Sequence, residues 1–177
     1  MSDLIIYLVD TDVLVSIRKR ADSSALYSGV IKLADTGVAR SVRQVFDELK
    51  AHGAPLAFLQ GYKSKFLIPS DQQYCREVRE RMEIVRTKAK WLNPDEAGNN
   101  PDPADPWLVA VAAHYKYVVV TNESQTSSVK IPAACRIDEI KCRCISGPHF
   151  LYEVGLVKRI DPAHISADAF FAKGQTG

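Results

Sequence analysis

The sequence predicts an α/β domain of three layers, α/β/α, around a central and mostly parallel sheet. Two observations lead there. The short apolar runs "LIIYLVD" and "KYVVVTNE" each end in acidic or polar residues, the pattern of strands buried on both faces. Around them lie longer stretches of helical periodicity, and strand–helix alternation builds a parallel sheet covered by helices. The 177 residues suffice for one such domain, read as residues 1–160 with a C-terminal tail at 161–177.

Taken in order, "LIIYLVD" is the first strand. "DVLVSIRKR" reads as a helix, with Asp12 as N-cap and Arg18, Lys19 and Arg20 at its C-terminal end. "SALYSGVIKLAD" is a second helix, stopped near Gly37, and "VARS" is a short strand. "SVRQVFDELKAHG" is a third helix, in which Ser41-x-x-Gln44 matches a capping box and Gly53 is the terminator. "APLAFLQGYKSKF" reads as helical to Gly61. A long amphipathic helix then spans Gln72 to Leu92, with Val78, Met82, Val85 and Ala89 on one face. The run "NPDEAGNNPDPADP" is too rich in proline and asparagine for regular structure, and a loop that long suggests a function. "DPWLVAVAAHY" is a nearly all-apolar helix and "KYVVVTNE" the second buried strand. A "KIPAAC" turn, a strand near "RIDEIKC" and a helix around "HFLYEVGL" complete the chain.

Composition narrows the partners. Hydrophobic residues make up 46% and charged residues 25%, as in ordinary globular proteins. A net charge of +2 gives no strong overall field, so a nucleic acid must be met by a local patch. No apolar run approaches the ~20 residues of a membrane span, and no signal-peptide pattern opens the chain. A cytoplasmic protein without a membrane partner is expected. Cys75, Cys135, Cys142 and Cys144 form no CxxC pair, and Cys142-Arg143-Cys144 is too tight for a zinc knuckle, so they read as ordinary reduced thiols.

Ligands of parallel α/β sheets collect beyond the carboxyl ends of the strands. Asp10 and Glu123 each stand just past an apolar strand, hence on the same rim. In the third helix Val42, Val45, Phe46 and Leu49 define an apolar face. At ~100° per residue Glu48 borders that face and Asp47 looks outward. Asp105 precedes Pro106, where it reads either as a helix cap or as an acid turned toward the rim. Two like charges 4 Å apart repel by about 4 kcal/mol at an effective dielectric of 20. If Asp10, Glu48, Asp105 and Glu123 converge, protons or a cation must neutralise them. Oxygen-only ligands favour Mg²⁺ or Mn²⁺ over zinc. Such an ion, held by carboxylates, activates water and shields a phosphodiester.

These residues resemble the PIN domain family. "YLVDTDVLV" is similar to its first motif and "SVRQVFDEL" to the helix that supplies its glutamate. "DPADPWLVAVA" resembles the third motif and "VVVTNE" the fourth. The match covers roughly residues 5–125, and "ADPWLVA", "VVTNE" and "KIPAAC" are similar to an uncharacterised bacterial PIN-like branch. The resemblance implies a metal-dependent endoribonuclease that hydrolyses RNA, as in VapC-type toxins neutralised by a protein antitoxin and commonly dimeric. It implies Asp10, Glu48, Asp105 and Glu123 as catalytic ligands of one or two Mg²⁺ or Mn²⁺ ions, with Thr121 and Asp12 supporting them. Two positions depart from the family: Glu123 stands where Asp is commoner, and Asp12 where Asn is common. Asp102 is a further candidate on the loop.

An RNA path needs cations. Arg18, Lys19 and Arg20 are candidates, as are Arg86, Lys88 and Lys90, the acid-free end of the long helix. The rest of that helix alternates charge and reads as a solvated face. Trp107 reads as core, or as a platform for a base. Two other functions fit the same residues. A PIN-like scaffold without turnover would keep the sheet. A haloacid-dehalogenase-like phosphatase would use Asp10 as nucleophile and Asp12 as general acid, but no acidic pair follows a later apolar strand.

Overall fold

The computed structural model describes residues 4–68, 72–93 and 102–165. In chain order the elements open with β1 (Tyr7–Val9), α1 (Thr11–Ile17), α2 (Ser23–Asp35), β2 (Ala39–Arg40), α3 (Arg43–Ala51), α4 (Ala54–Ala57) and α5 (Lys63–Phe66). There follow α6 (Gln72–Lys88), α7 (Ala104–Tyr115), β3 (Val118–Val120), α8 (Ile131–Cys135), β4 (Cys144–Ile145) and α9 (Gly147–Glu153). The strands form one all-parallel sheet in the order β2-β1-β3-β4. Helices flank it, in the three-layer α/β/α arrangement that the apolar runs predict. Tyr7 to Val9 and Val118 to Val120 are all buried, so both faces of the central strands are covered.

Strand order reverses at β1. From β1 the chain passes to β2 on one side, and β3 then pairs on the other. In-register pairing runs from Tyr7↔Val118 to Val9↔Val120. The Asp10 amide then donates to the Val120 carbonyl at 3.0 Å, so the pairing continues one step and brings Asp10 beside Thr121. The site residues are delivered by register.

α7 is deeply seated: Ala104, Pro106 and Leu108 to Ala113 are all buried. α6 packs along it, presenting buried Val78, Met82 and Val85, with Ala89 buried just beyond its end. The Tyr115 hydroxyl donates to Glu77 at 2.9 Å across this pair. Among the described residues no helix is long and apolar enough to cross a membrane.

Several local expectations are corrected. Asp10, not Asp12, caps α1: β1 ends at Val9, Asp10 is extended (ψ 161°), and its carboxylate accepts from the Thr11 amide. Asp12 lies one residue inside the helix. The capping box at Ser41 does not form. Ser41 is fully buried and donates to the Val9 carbonyl at 2.7 Å, where an interior carbonyl needs a partner, and Val42 takes the cap position. Asp105 is no cap either, because α7 begins after an extended Pro103 and Asp105 falls in its first turn. The helix expected to Gly61 is a single turn, α4, continued by a 3-10 segment Phe58–Tyr62. The long helix ends at Lys88, with a 3-10 turn at Lys90–Leu92.

The strand expected near "RIDEIKC" lies further on, at Cys144–Ile145. Residues 137–141 close a turn instead, the Lys141 amide on the Ile137 carbonyl at 2.8 Å. Residues 94–101 of the proline-rich loop lie outside the described residues, as do 166–177 of the tail. The tail's described start forms a 3-10 turn, Pro162–His164, tied by the Ser146 hydroxyl to the His164 carbonyl at 2.8 Å. Cys135, Cys142 and Cys144 are free thiols. Hydrogen bonding with the other two, then burial, pushes the Cys135 thiol up, which keeps it unreactive. The side chain of Cys75 lies outside the described residues.

Candidate active site

The turn from β1 into α1 aims Asp10 across the sheet rim. Its side chain is 5% exposed. One carboxylate oxygen accepts from the Thr11 amide at 2.6 Å and the other from the Thr121 hydroxyl at 2.9 Å. Asp12, two residues along the same rim, accepts from the Asn122 amide at 3.0 and 3.1 Å. Thr121 reaches it too, at 3.3 Å. The residues directly after β3 therefore hold both aspartates of the "DTD" triplet.

α3 brings Glu48 from a different layer. The Thr11 hydroxyl donates to one of its oxygens at 2.6 Å, and the Ala104 amide at the start of α7 donates to the other at 3.0 Å. Glu48 thus ties three helix starts and ends together. Asp105 follows Ala104 in the first turn of α7, where the helix dipole favours negative charge. Glu123 accepts from the Ile131 amide at 2.7 Å and lies 3.2 Å from the Lys130 ammonium.

All five carboxylates line one pocket of about 360 Å³. Four are the acids that sequence reading placed there; Asp12, expected only as support, shares the wall with them. Their charges act on one another. Burial first, then Asp12 and Asp105, holds the Asp10 carboxyl well above the usual carboxylate range. Burial and Glu123 push Asp12 up against the opposing hydrogen bond from Asn122. Asp105 is pushed up to about 7 by burial, then by Glu123 and Glu48, against Lys130. These neighbours come from four separate stretches of the chain, so the cluster is a product of tertiary folding.

Sequence reading missed three contributors. His52 lines the pocket; it stands four residues after Glu48 on one helical face, a spacing that could have found it. Thr11 orders Glu48 through its hydroxyl, and Lys130 partners Glu123. Nothing in the sequence marks those two. Of the cations expected on an RNA path, Lys19 lines the pocket. Arg20 is bidentate with Asp22 at 2.9 and 3.0 Å, and Arg18 is exposed outside the pocket wall. Arg86, Lys88 and Lys90 are not on the wall either, and Lys88 pairs with Glu139 at 2.7 Å. Asp102 is not on the pocket wall: it accepts from Gln44 at 2.8 Å and from the Trp107 indole at 2.7 Å. Trp107 packs partly buried against the core.

The donor set fits a hard divalent cation in type, all oxygen and crowded enough to need neutralising. Its arrangement is not that of a closed coordination shell. Among the described residues no group of three or more His, Cys, Asp or Glu side chains could hold a metal ion as placed. The reason is visible in the hydrogen bonds, since Glu48 and Glu123 are each turned onto backbone amides.

A family model described as a domain of unknown function, DUF4411, matches residues 7–155. No curated protein and no solved structure matches the chain.

Proposed function

For this chain, which belongs to the DUF4411 family, we propose the function of a Mg²⁺- or Mn²⁺-dependent endoribonuclease of PIN-like type. The observation that carries the reading is the gathering of Asp10, Asp12, Glu48, Asp105 and Glu123 in one pocket at the carboxyl ends of β1 and β3. Five acids brought there from four stretches of chain oppose stability unless protons or a cation neutralise them. Function is the natural reason to keep them.

Asp10 and Asp105, with Glu48 or Glu123, would hold the ion. Bound there, it supplies an activated water and charge neutralisation for a phosphodiester. The Thr121 hydroxyl and the Thr11 amide each hold one Asp10 oxygen, so the carboxylate keeps one orientation on the pocket wall. Glu48 and Glu123 must leave their backbone amides to join. Lys19 lines the same pocket and would supply positive charge to an incoming phosphate. The same reading extends to a cytoplasmic toxin held in check by a protein antitoxin, acting as a homodimer.

A scaffold without turnover is the second reading, favoured by the protein-satisfied oxygens of Glu48 and Glu123. Cleavage of a labelled RNA pool separates the two. Wild type is expected to cut in Mg²⁺ or Mn²⁺ and not in EDTA, and Asp10→Asn to lose at least about 100-fold in rate. Equal cutting by both proteins, or none by wild type with no cation-induced rise in melting temperature, sinks the nuclease reading.

A further inference from the structure

A second concavity of about 730 Å³ adjoins the acidic pocket, and Ser16 and Glu123 belong to the walls of both. Its size lies within the roughly 300–1,000 Å³ of small-ligand clefts. The two recesses meet at residues that face both, so a chain-like ligand with a phosphate in the first continues into the second.

The lining of the second is different in kind. Buried Val13, Ile17 and Leu151 give an apolar floor. Ser124, Gln125, Thr126 and His164 place hydrogen-bonding groups around it, the Ser124 and Thr126 hydroxyls meeting at 3.1 Å and the Gln125 amide nitrogen donating to the Glu123 carbonyl at 3.5 Å. Glu123, shared with the pocket, is its one carboxylate among the described residues, and its one Arg or Lys, Arg20, is neutralised by Asp22. Flat apolar faces edged with donors and acceptors are what an unpaired nucleobase presents. A phosphate would find little charge here.

The wall is braced. Arg136 donates to the Gln125 carbonyl at 2.7 Å and to the Ser127 carbonyl at 2.8 Å. The Ser127 amide returns to the Ser124 carbonyl at 3.1 Å. Opposite, Asn122 accepts from the Gly147 amide at 3.1 Å and donates to Ser16 at 2.8 Å. Backbone held this way presents the Gln125 and Thr126 side chains in a fixed frame, as selective recognition requires.

We propose that this groove is a base-selecting subsite: it takes one unpaired nucleobase of the RNA strand whose phosphate lies in the acidic pocket, with Gln125 and Thr126 reading the base edge. The inference rests on the nuclease reading, and two measurements keep their failures apart. In the first, free ribonucleosides, which carry no phosphate, are titrated in EDTA into the isotope-labelled protein and followed by NMR. One nucleoside is expected to shift the amides of residues 124–126 and to bind about tenfold more tightly than the weakest. Gln125→Glu, which keeps the shape and replaces amide donors by acceptors, is expected to remove that preference, as is Thr126→Val. A melting temperature matching wild type reports that each variant is folded. No shift in the groove with any nucleoside, or equal binding of all, overturns the proposal.

In the second, the ends of RNA fragments cut in Mn²⁺ are sequenced. A base shared beside the wild-type cut, and altered by Gln125→Glu, supports the subsite; an unaltered base overturns it. Wild type that cuts nothing while still selecting a nucleoside removes the nuclease reading and leaves the subsite standing.

Discussion

Thr121 is fully buried directly after β3, its hydroxyl 2.9 Å from Asp10 and 3.3 Å from Asp12. The same oxygen accepts from the Glu123 amide at 3.3 Å. One small side chain therefore meets both aspartates and the Glu123 backbone. Thr121→Val keeps the volume and removes the hydrogen bonds, leaving Asp10 buried with one partner fewer. The expected cost is about 1–3 kcal/mol of stability. Metal affinity or cleavage rate is expected to drop about 10–100-fold. A melting curve and a Mn²⁺ titration check the two separately; wild-type affinity in the variant would mean that Asp10 needs no orientation. Asp102 shows the opposite case. It looks like a ligand in sequence, yet its oxygens brace Gln44 and Trp107.

At the scale of elements, the close approach of α9 to the loop after β3 holds the rim together. A Cβ on Gly147 would stand 2.5 Å from the Asn122 side-chain oxygen and 3.2 Å from a Val13 methyl. Asn122 cannot yield freely, because its amide nitrogen and side chain are tied to Asp12 and Ser16. Gly147→Ala is expected to destabilise the fold by about 1–3 kcal/mol, read as a lower urea midpoint at unchanged slope. A neutral result would show that Asn122 can move without loss. α7 illustrates a different balance: an almost entirely buried helix carries Asp105 in its first turn, where the amide ends of the helix offset part of the burial of charge.

For the whole molecule, the acidic pocket sets how stability responds to pH and to cations. Asp10 and Asp105 are both held above their ordinary values. As pH rises, the unfolded chain releases these protons first, so each group removes stability through that interval. For Asp105 the window runs from the ordinary 3.8 to about 7. Metal-free protein is therefore expected to melt lower at pH 7.5 than at pH 5, with the difference shrinking in Asp10→Asn. Mn²⁺ at a hundredfold excess over its Kd is expected to restore about 2.7 kcal/mol, or about 5–10 °C for a domain of this size. Calorimetry across pH, with and without Mn²⁺, checks both. A metal-free melting temperature that rises from pH 5 to 7.5 would mean that the acids do not share one field.

The sequence by itself determined the two central strands, the parallel sheet and the two acids that follow those strands. Apolar runs and helical periodicity are local signals, and a residue just past a buried strand has only one place to be. Asp10 and Glu123 were legible for that reason and Glu48 by the apolar helix face it borders, while Asp105 stood open between a helix cap and an acid at the rim. The roles of Ser41, Asp12 and Asp102 were not legible, because each depends on a partner more than one element away. Ser41 resembles a cap until the Val9 carbonyl is placed beside it, and Asp12 resembles one until Asn122 arrives from β3. Tertiary structure alone decided which carboxylate oxygens rest on amides and which on hydroxyls, and it alone set a groove with one carboxylate beside a pocket with five. Hydrogen bonds act over about 3 Å, and only the folded chain brings residues a hundred positions apart to that distance.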